Sequence, residues 1–158
     1  MPKSPERLEQ RARNVLLYQL GRSMKTRKQL REIMLRREIP EEVFEPLLDR
    51  FEEAGLYSDS EYARAYVPSR VAAGKSVRLI QRELRERGVS DALIEEHTSE
   101  ISLEDEQRKA TELAQRRMRQ LTKLDAQTRY RRLSGYLYRR GYSSQVVSLA
   151  VRAAEAQG

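Results

Sequence analysis

One helical phrase occurs three times in this chain, and its recurrence limits what the chain can fold into more than any other feature. The copies are Leu30-x3-Met34-x3-Glu38-Ile39-Pro40-x2-Val43-Phe44, Ile80-x3-Leu84-x3-Gly88-Val89-Ser90-x2-Leu93-Ile94 and Leu133-x3-Leu137-x3-Gly141-Tyr142-Ser143-x2-Val146-Val147. In each, an apolar pair at helical spacing leads to a helix stop, a lone apolar residue, a helix-starting residue and a second apolar run. The stops Glu38, Gly88 and Gly141 stand 50 and 53 residues apart. A period of that size belongs to arrays of small helical modules that bury their apolar faces against one another, not to a single enzyme core.

The spacing of apolar residues fills in the rest of each module. A first helix is predicted from about Pro5 to Leu20, ended by Gly21, and Thr26 caps a basic helix that leads to Pro40, which opens the third. Ser58-Asp59-Ser60-Glu61 caps the next module, whose first helix contains Pro68 and is expected to kink or to restart near Val67. Gly74, Ser76, Gly88 and Ser90 mark the later boundaries of that module, with its last helix carrying Leu93, Ile94, His97 and Ile101. A long polar helix is predicted over about 104–124, then one capped by Asp125, then one starting at Ser143 or Ser144. No useful strand-like alternation occurs. The fold expected is all-α, an elongated tandem array of three three-helix repeats with about nine helices, divided at 1–57, 58–103 and 104–158.

Composition removes most enzyme chemistry. There is no cysteine, so disulfides, thiolate catalysis and cysteine zinc sites are excluded. The only histidine, His97, aligns with Leu47 and Ala150 on packing stripes and reads as structural. No Gly-x4-Gly-Lys-Ser/Thr or Gly-x-Gly-x2-Gly loop is present, and Glu95/Glu96 and Glu104-Asp105-Glu106 fall at helix ends where the dipole accounts for them. We therefore assign no catalytic residue, metal or cofactor. No apolar stretch approaches the roughly 18 residues needed to span a bilayer, and Met1-Pro2-Lys3-Ser4-Pro5-Glu6 lacks a leader-like apolar region, so a cytoplasmic, monomeric protein is expected.

The net charge of +7 is concentrated: residues 104–158 carry 12 Lys/Arg against 6 Asp/Glu. Arg78, Arg82 and Arg85 recur at helical spacing with Arg70 and Lys75 just upstream, and Arg129, Arg132, Tyr136 and Arg140 do the same in the third repeat, with Arg139, Arg131 and Tyr138 adjacent. Guanidinium groups bind phosphate or carboxylate bidentately, and tyrosine adds apolar contact area. These positions point to a polyanionic or acidic partner. They also allow an autonomous DNA-binding protein of helix-turn-helix type, or a helical adaptor whose basic face meets an acidic protein.

The run from Gly55-Leu56-Tyr57-Ser58-Asp59 through Glu61-Tyr62-Ala63-Arg64-Ala65-Tyr66-Val67, Arg70 and Gly74 to Glu83-Leu84-Arg85-Glu86-Arg87-Gly88-Val89 resembles the central motif of the RecX family. Leu137-Tyr138-Arg139-Arg140-Gly141-Tyr142 is similar to that family's closing segment. Glu38 stands where the family commonly has glycine, and Pro68 interrupts a helix that is usually continuous. The resemblance implies tandem three-helix repeats that bind the RecA recombinase filament, lodge in its groove and suppress its ATPase and strand exchange. It also implies a non-enzymatic role in homologous recombination, DNA repair and the SOS response, with weak single- or double-stranded DNA binding and no membrane partner.

Overall fold

The computed structural model of the chain describes residues 4–157, so the reading of Met1-Pro2-Lys3 falls outside the described residues. Among those described there are nine α-helices and no strand: α1 Pro5–Arg22, α2 Arg27–Arg36, α3 Glu41–Glu53, α4 Asp59–Ala72, α5 Val77–Glu86, α6 Asp91–Thr98, α7 Leu103–Met118, α8 Ala126–Arg139 and α9 Ser144–Gln157. Helix starts follow side-chain chemistry. Thr26 and Gln29 form a reciprocal capping box on α2, Ser102 and Asp105 form one on α7, and the Asp125 carboxylate accepts from Thr128 N–H at the start of α8.

Five features differ from the sequence reading. Helix α4 runs without interruption through Pro68. The carbonyl that loses its partner there belongs to Arg64, which is exposed like Pro68, so it faces solvent rather than a dry core. Pro46 is carried by α3 in the same way, and Pro40 is the cap of that helix instead of its first residue. Helix α7 stops at Met118; residues beyond it close into tight turns, Gln120 N–H to Arg117 and Leu121 N–H to Met118, that bury Leu121. Helix α6 ends at Thr98, short of Ile101, whereas α1 passes through Gly21 to Arg22.

The described residues form two compact units, one of residues 4–66 with Leu84–Ile94, the other of Val67–Glu83 with 95–157. The first has a core of Ala12, Leu16, Leu30, Met34, Phe44, Leu47, Leu48 and Phe51 between α1, α2 and α3. The second has a core of Ala110, Leu113, Ala114, Leu133, Leu137, Val147, Ala150 and Val151 between α7, α8 and α9. The middle repeat supplies residues to both units. Its apolar anchors Ile80, Leu84, Val89 and Ile94, like their counterparts Leu30, Met34, Ile39, Phe44, Leu133, Leu137, Tyr142 and Val147, are no more than 4 % exposed. Removing that much apolar surface from water is worth about 1.5–3 kcal/mol per large side chain, which explains why these anchors recur.

All three middle helices end identically. The N–H of Ile39, Val89 and Tyr142 reaches back to Met34, Leu84 and Leu137, while that of Glu38, Gly88 and Gly141 reaches Leu35, Arg85 and Tyr138. This turn needs a left-handed residue at the stop, and φ is 59° at Glu38, 84° at Gly88 and 92° at Gly141. At the two glycines, a second helix start rests on the turn. Thr26 Oγ1 donates to Arg87 O at 2.6 Å and Lys28 Nζ to Glu86 O at 2.9 Å; in the other unit, Ser76 N donates to Arg140 O at 2.9 Å. A carboxylate from the following repeat completes each junction, since Arg27 N donates to Asp59 at 2.9 Å and Val77 N to Glu106 at 2.5 Å. Thr26 and Ser76 are buried polar residues with their bonds made.

The glycines are there because nothing larger fits. A Cβ on Gly88 falls 2.5 Å from Lys28 Cβ, and one on Gly141 falls 2.4 Å from Ser76 Oγ and 2.7 Å from Leu79 Cβ. Gly88→Ala and Gly141→Ala are each expected to cost about 2–4 kcal/mol, combining left-handed strain with overpacking, as measured by urea unfolding. Glu38→Gly, at the same turn but with Glu38 exposed, is expected to be neutral to about 1 kcal/mol stabilising in the same experiment.

Candidate partner-binding face

The two units use their charges differently. Among described residues the first carries 14 Lys/Arg and 14 Asp/Glu, the second 16 and 10. In the first, a network of internal pairs joins α1, α2 and α3: Arg27 holds Glu45 at 2.7 Å and Asp49 at 2.9 Å, Arg31 holds Glu45 and Glu41, and Arg13 and Arg50 share Glu9. Burial opposes the charge on Arg27, but hydrogen bonds to Glu45 and Asp49 outweigh it and hold the guanidinium above its ordinary range. Glu45 is correspondingly held below the usual glutamate range by Arg27, against some burial, with Arg31 assisting. Asp59 moves the other way, because burial outweighs the N–H of Arg27 that it accepts.

In the second unit several cations lie outside any such pairing. Among the described residues, Arg78, Arg82, Arg131, Arg132 and Arg139 are exposed and take part in no ion pair. Arg78 and Arg82 rise from consecutive turns of α5 and line a shallow groove of about 220 Å³ with Leu79, Tyr138, Gly141 and Tyr142. Like charges four residues apart on a helix repel, so this pair is unfavourable until an anion comes between them. Tyr142 gives the groove a fixed wall. Its hydroxyl donates to Gly74 O at 3.0 Å, and burial pushes its pKa up to about 12, so it stays a donor at ordinary pH.

The ten positions singled out in the sequence do not form one face. Arg70 is held by Glu83 in a fork, Nε at 3.1 Å and Nη2 at 2.8 Å. Arg85 pairs with Asp91 at 3.1 Å, in the first unit. Lys75 is half-buried in the turn before α5. Arg129, also half-buried, donates to Leu124 O just upstream of α8. Arg140 donates to Ala73 O at 2.7 Å and lies 4.5 Å from the centre of the Tyr136 ring, with Arg117 at 5.6 Å from the same ring. Tyr136, packed against the core, is thus a buttress held between two guanidiniums. Arg78 and Arg82 share the groove, while Arg132 and Arg139 stand one helical repeat apart on the exposed side of α8.

The spacing Arg129, Arg132, Tyr136, Arg140 had followed a stripe that mostly turns inward. The exposed side of α8 instead presents Arg131, Arg132, Tyr138 and Arg139, with Gly135 between them. Tyr138, half exposed, is the aromatic on that side, where the sequence reading set Tyr136 in the face and Tyr138 only beside it. Its signal was available: Tyr138 is seven residues from Arg131, and neither lies on the stripe of Leu133 and Leu137. His97 is half-buried, and among the described residues no three metal-ligating side chains come together. No helix of the described residues is long and apolar enough to cross a membrane.

Comparison with known proteins matches three family profiles to this chain: RecX, first three-helix domain, over residues 12–51; RecX, second three-helix domain, over 58–97; and RecX, third three-helix domain, over 104–151. A protein of Streptomyces coelicolor named regulatory protein RecX is 42% identical over 92% of this chain and 78% of its own length. One of the same name from Thermobifida fusca is 41% identical over 94% of this chain and 81% of its own. The crystal structure of RecX from Lactobacillus salivarius superposes with a TM-score of 0.78 over 96% of this chain and 99% of that one, at 17% identity, and so speaks for the fold.

Two measurements separate scaffold from contact surface. Arg70→Gln is expected to lower unfolding free energy by about 1–2 kcal/mol by removing the two-bond fork on Glu83, whereas Arg78→Gln and Arg82→Gln change it by less than about 0.5. Because Glu45 is depressed, its contribution is present above the ordinary glutamate pKa and fades as pH falls through the depressed value. Glu45→Gln therefore lowers the melting temperature near about pH 7 and leaves it unchanged near about pH 2.

Proposed function

The chain belongs to the RecX family of regulatory proteins, and on that footing we propose that it binds the RecA recombinase filament on DNA, lodges in the filament groove and inhibits ATPase and strand exchange. The observation that carries the reading is the pair of unneutralised arginines, Arg78 and Arg82, beside Tyr138 in one groove. With Arg131, Arg132 and Arg139 on α8 they offer guanidiniums to phosphates of the filament's DNA or to carboxylates of its protein, and the tyrosine ring adds a desolvated contact. Inhibition follows from thermodynamics. A protein that bridges neighbouring filament protomers and binds one of their arrangements better than the other opposes the change that ATP turnover requires. The role is regulatory, in homologous recombination within the cytoplasm, and the protein acts as a monomer without cofactor.

The test is a titration of the DNA-dependent ATPase of the matching recombinase. Arg78→Glu with Arg82→Glu is expected to raise the half-inhibitory concentration at least about tenfold with melting unchanged, and Tyr138→Ala by a smaller factor. An ATPase unaffected by several-fold excess of the natural protein ends the reading. Naked DNA is the control: tight, sequence-selective binding there, falling steeply with salt, favours the autonomous DNA-binding alternative.

A further inference from the structure

Met24 and Leu56, each 49 % exposed, line a shallow hollow of about 150 Å³ in the first unit, together with Leu20, Lys25 and Glu61. Leu17, 50 % exposed, stands one turn before Leu20 on α1, and Tyr18, 60 % exposed, one turn before Gly21 and Arg22. Neighbours at that spacing share a helix surface, so the apolar strip continues from the hollow along α1. Gly21 lies beside both Leu17 and Tyr18 on that strip, and the fold itself does not ask for it. Its φ is not positive, and a Cβ there would meet nothing within 4 Å. Glycine weakens a helix, and its other use is to let something come close to the backbone. The cations along this strip are unspent. Although charges balance over the whole unit, Arg11, Arg22 and Lys25 take part in no ion pair among the described residues. Glu9 is engaged by Arg13 and Arg50, and Glu61 lies 3.5 Å from Arg64.

We propose that this surface seats an amphipathic helix of a partner protein, its apolar anchors laid along Leu17 and Gly21 into the hollow at Met24 and Leu56, and an acidic row beside them facing Arg11, Arg22 and Lys25. The aliphatic side chains select a protein over a nucleic acid, because Leu17, Met24 and Leu56 gain by meeting other apolar side chains and offer nothing to a phosphate. A helix suits the seat, since two helices pack at a distance set by the side chains at their contact, and Gly21 presents none. The unbranched side chain of Met24 adapts to the anchor it meets. The three cations set the sign of the partner's flank and its orientation more than its affinity. Every residue of the seat belongs to the first unit, so it is independent of the reading given above for Arg78 and Arg82.

The test is an NMR titration of the isotope-labelled full chain with a synthetic amphipathic helix of about five turns, leucine on one face and glutamate along its edges, with thermal melts of each variant. Saturable shifts are expected at residues 17–25 and 55–61. A peptide with lysine in place of glutamate should bind at least about tenfold more weakly. Gly21→Gln, whose added side chain meets nothing in the chain, should keep the melting temperature and weaken binding at least about tenfold, and Leu17→Ser with Leu56→Ser should do the same. Absence of saturation, shifts at other residues in place of these, equal affinity for the lysine peptide, or natural affinity in Gly21→Gln overturns the proposal. So does a single-stranded oligonucleotide that displaces the peptide from these residues, or self-association of the free chain that Gly21→Gln abolishes, since the occupant is then a nucleic acid or a second copy.

Discussion

In both units, the start of one middle helix rests on the end of the next, and this contact sets most of what surrounds it. A helix end offers unpaired carbonyls and a helix start offers unpaired N–H groups, so bringing them together buries polar backbone only because each satisfies the other. The Ser76 N–H makes that exchange with Arg140 O and the Thr26 hydroxyl supplies the donor to Arg87 O, with Asp59 and Glu106 taking up the N–H of Arg27 and of Val77. The geometry tolerates no side chain at the stop. Hence Gly88 and Gly141, and hence also the freedom at position 38 to carry something else.

Those junctions also decide which charged groups are left over. Arg140 lies beside its junction and is drawn into it through Ala73 and the Tyr136 ring, while Arg87 lies 4.9 Å from the Tyr66 ring and donates to Tyr62. Arg70 is tied to Glu83 between α4 and α5. Arg78, Arg82, Arg131, Arg132 and Arg139 of the second unit are among the exposed cations that the scaffold does not absorb into ion pairs. The first unit, with equal numbers of cations and anions, neutralises itself. The second, with 16 cations against 10 anions, keeps a positive excess.

Much of the fold was legible because one pattern was written three times. The apolar anchors of the repeated phrase are buried except for the half-buried Val43 and Leu93, and the stop is left-handed in all three copies, including the one with glutamate. Where the reading failed, a local rule met a tertiary circumstance. Proline breaks helices in general, but Pro68 lies on an exposed side, where the carbonyl that loses its bond is open to solvent. The apolar run of α7 reached to Leu124, but burying Leu121 was better served by turns than by another helical turn.

The site was less legible than the fold, for a physical reason. A sequence shows which residues are arginines and how far apart they stand along a helix, and from charge and guanidinium chemistry this gives the expectation of a polyanionic or acidic partner. It does not show whether a guanidinium finds an acceptor within the protein, because that acceptor comes from another part of the chain: Glu83 for Arg70, Asp91 for Arg85, the carbonyl of Ala73 for Arg140. The sequence by itself determined three helical repeats, their buried anchors and a basic third repeat, all of which follow from periodicity and composition. Only the tertiary structure decided which arginines are scaffold and which remain available, brought Tyr138 beside Arg78 and Arg82, and revealed what the two glycine stops accommodate, because each of these depends on residues that meet only after the chain has folded.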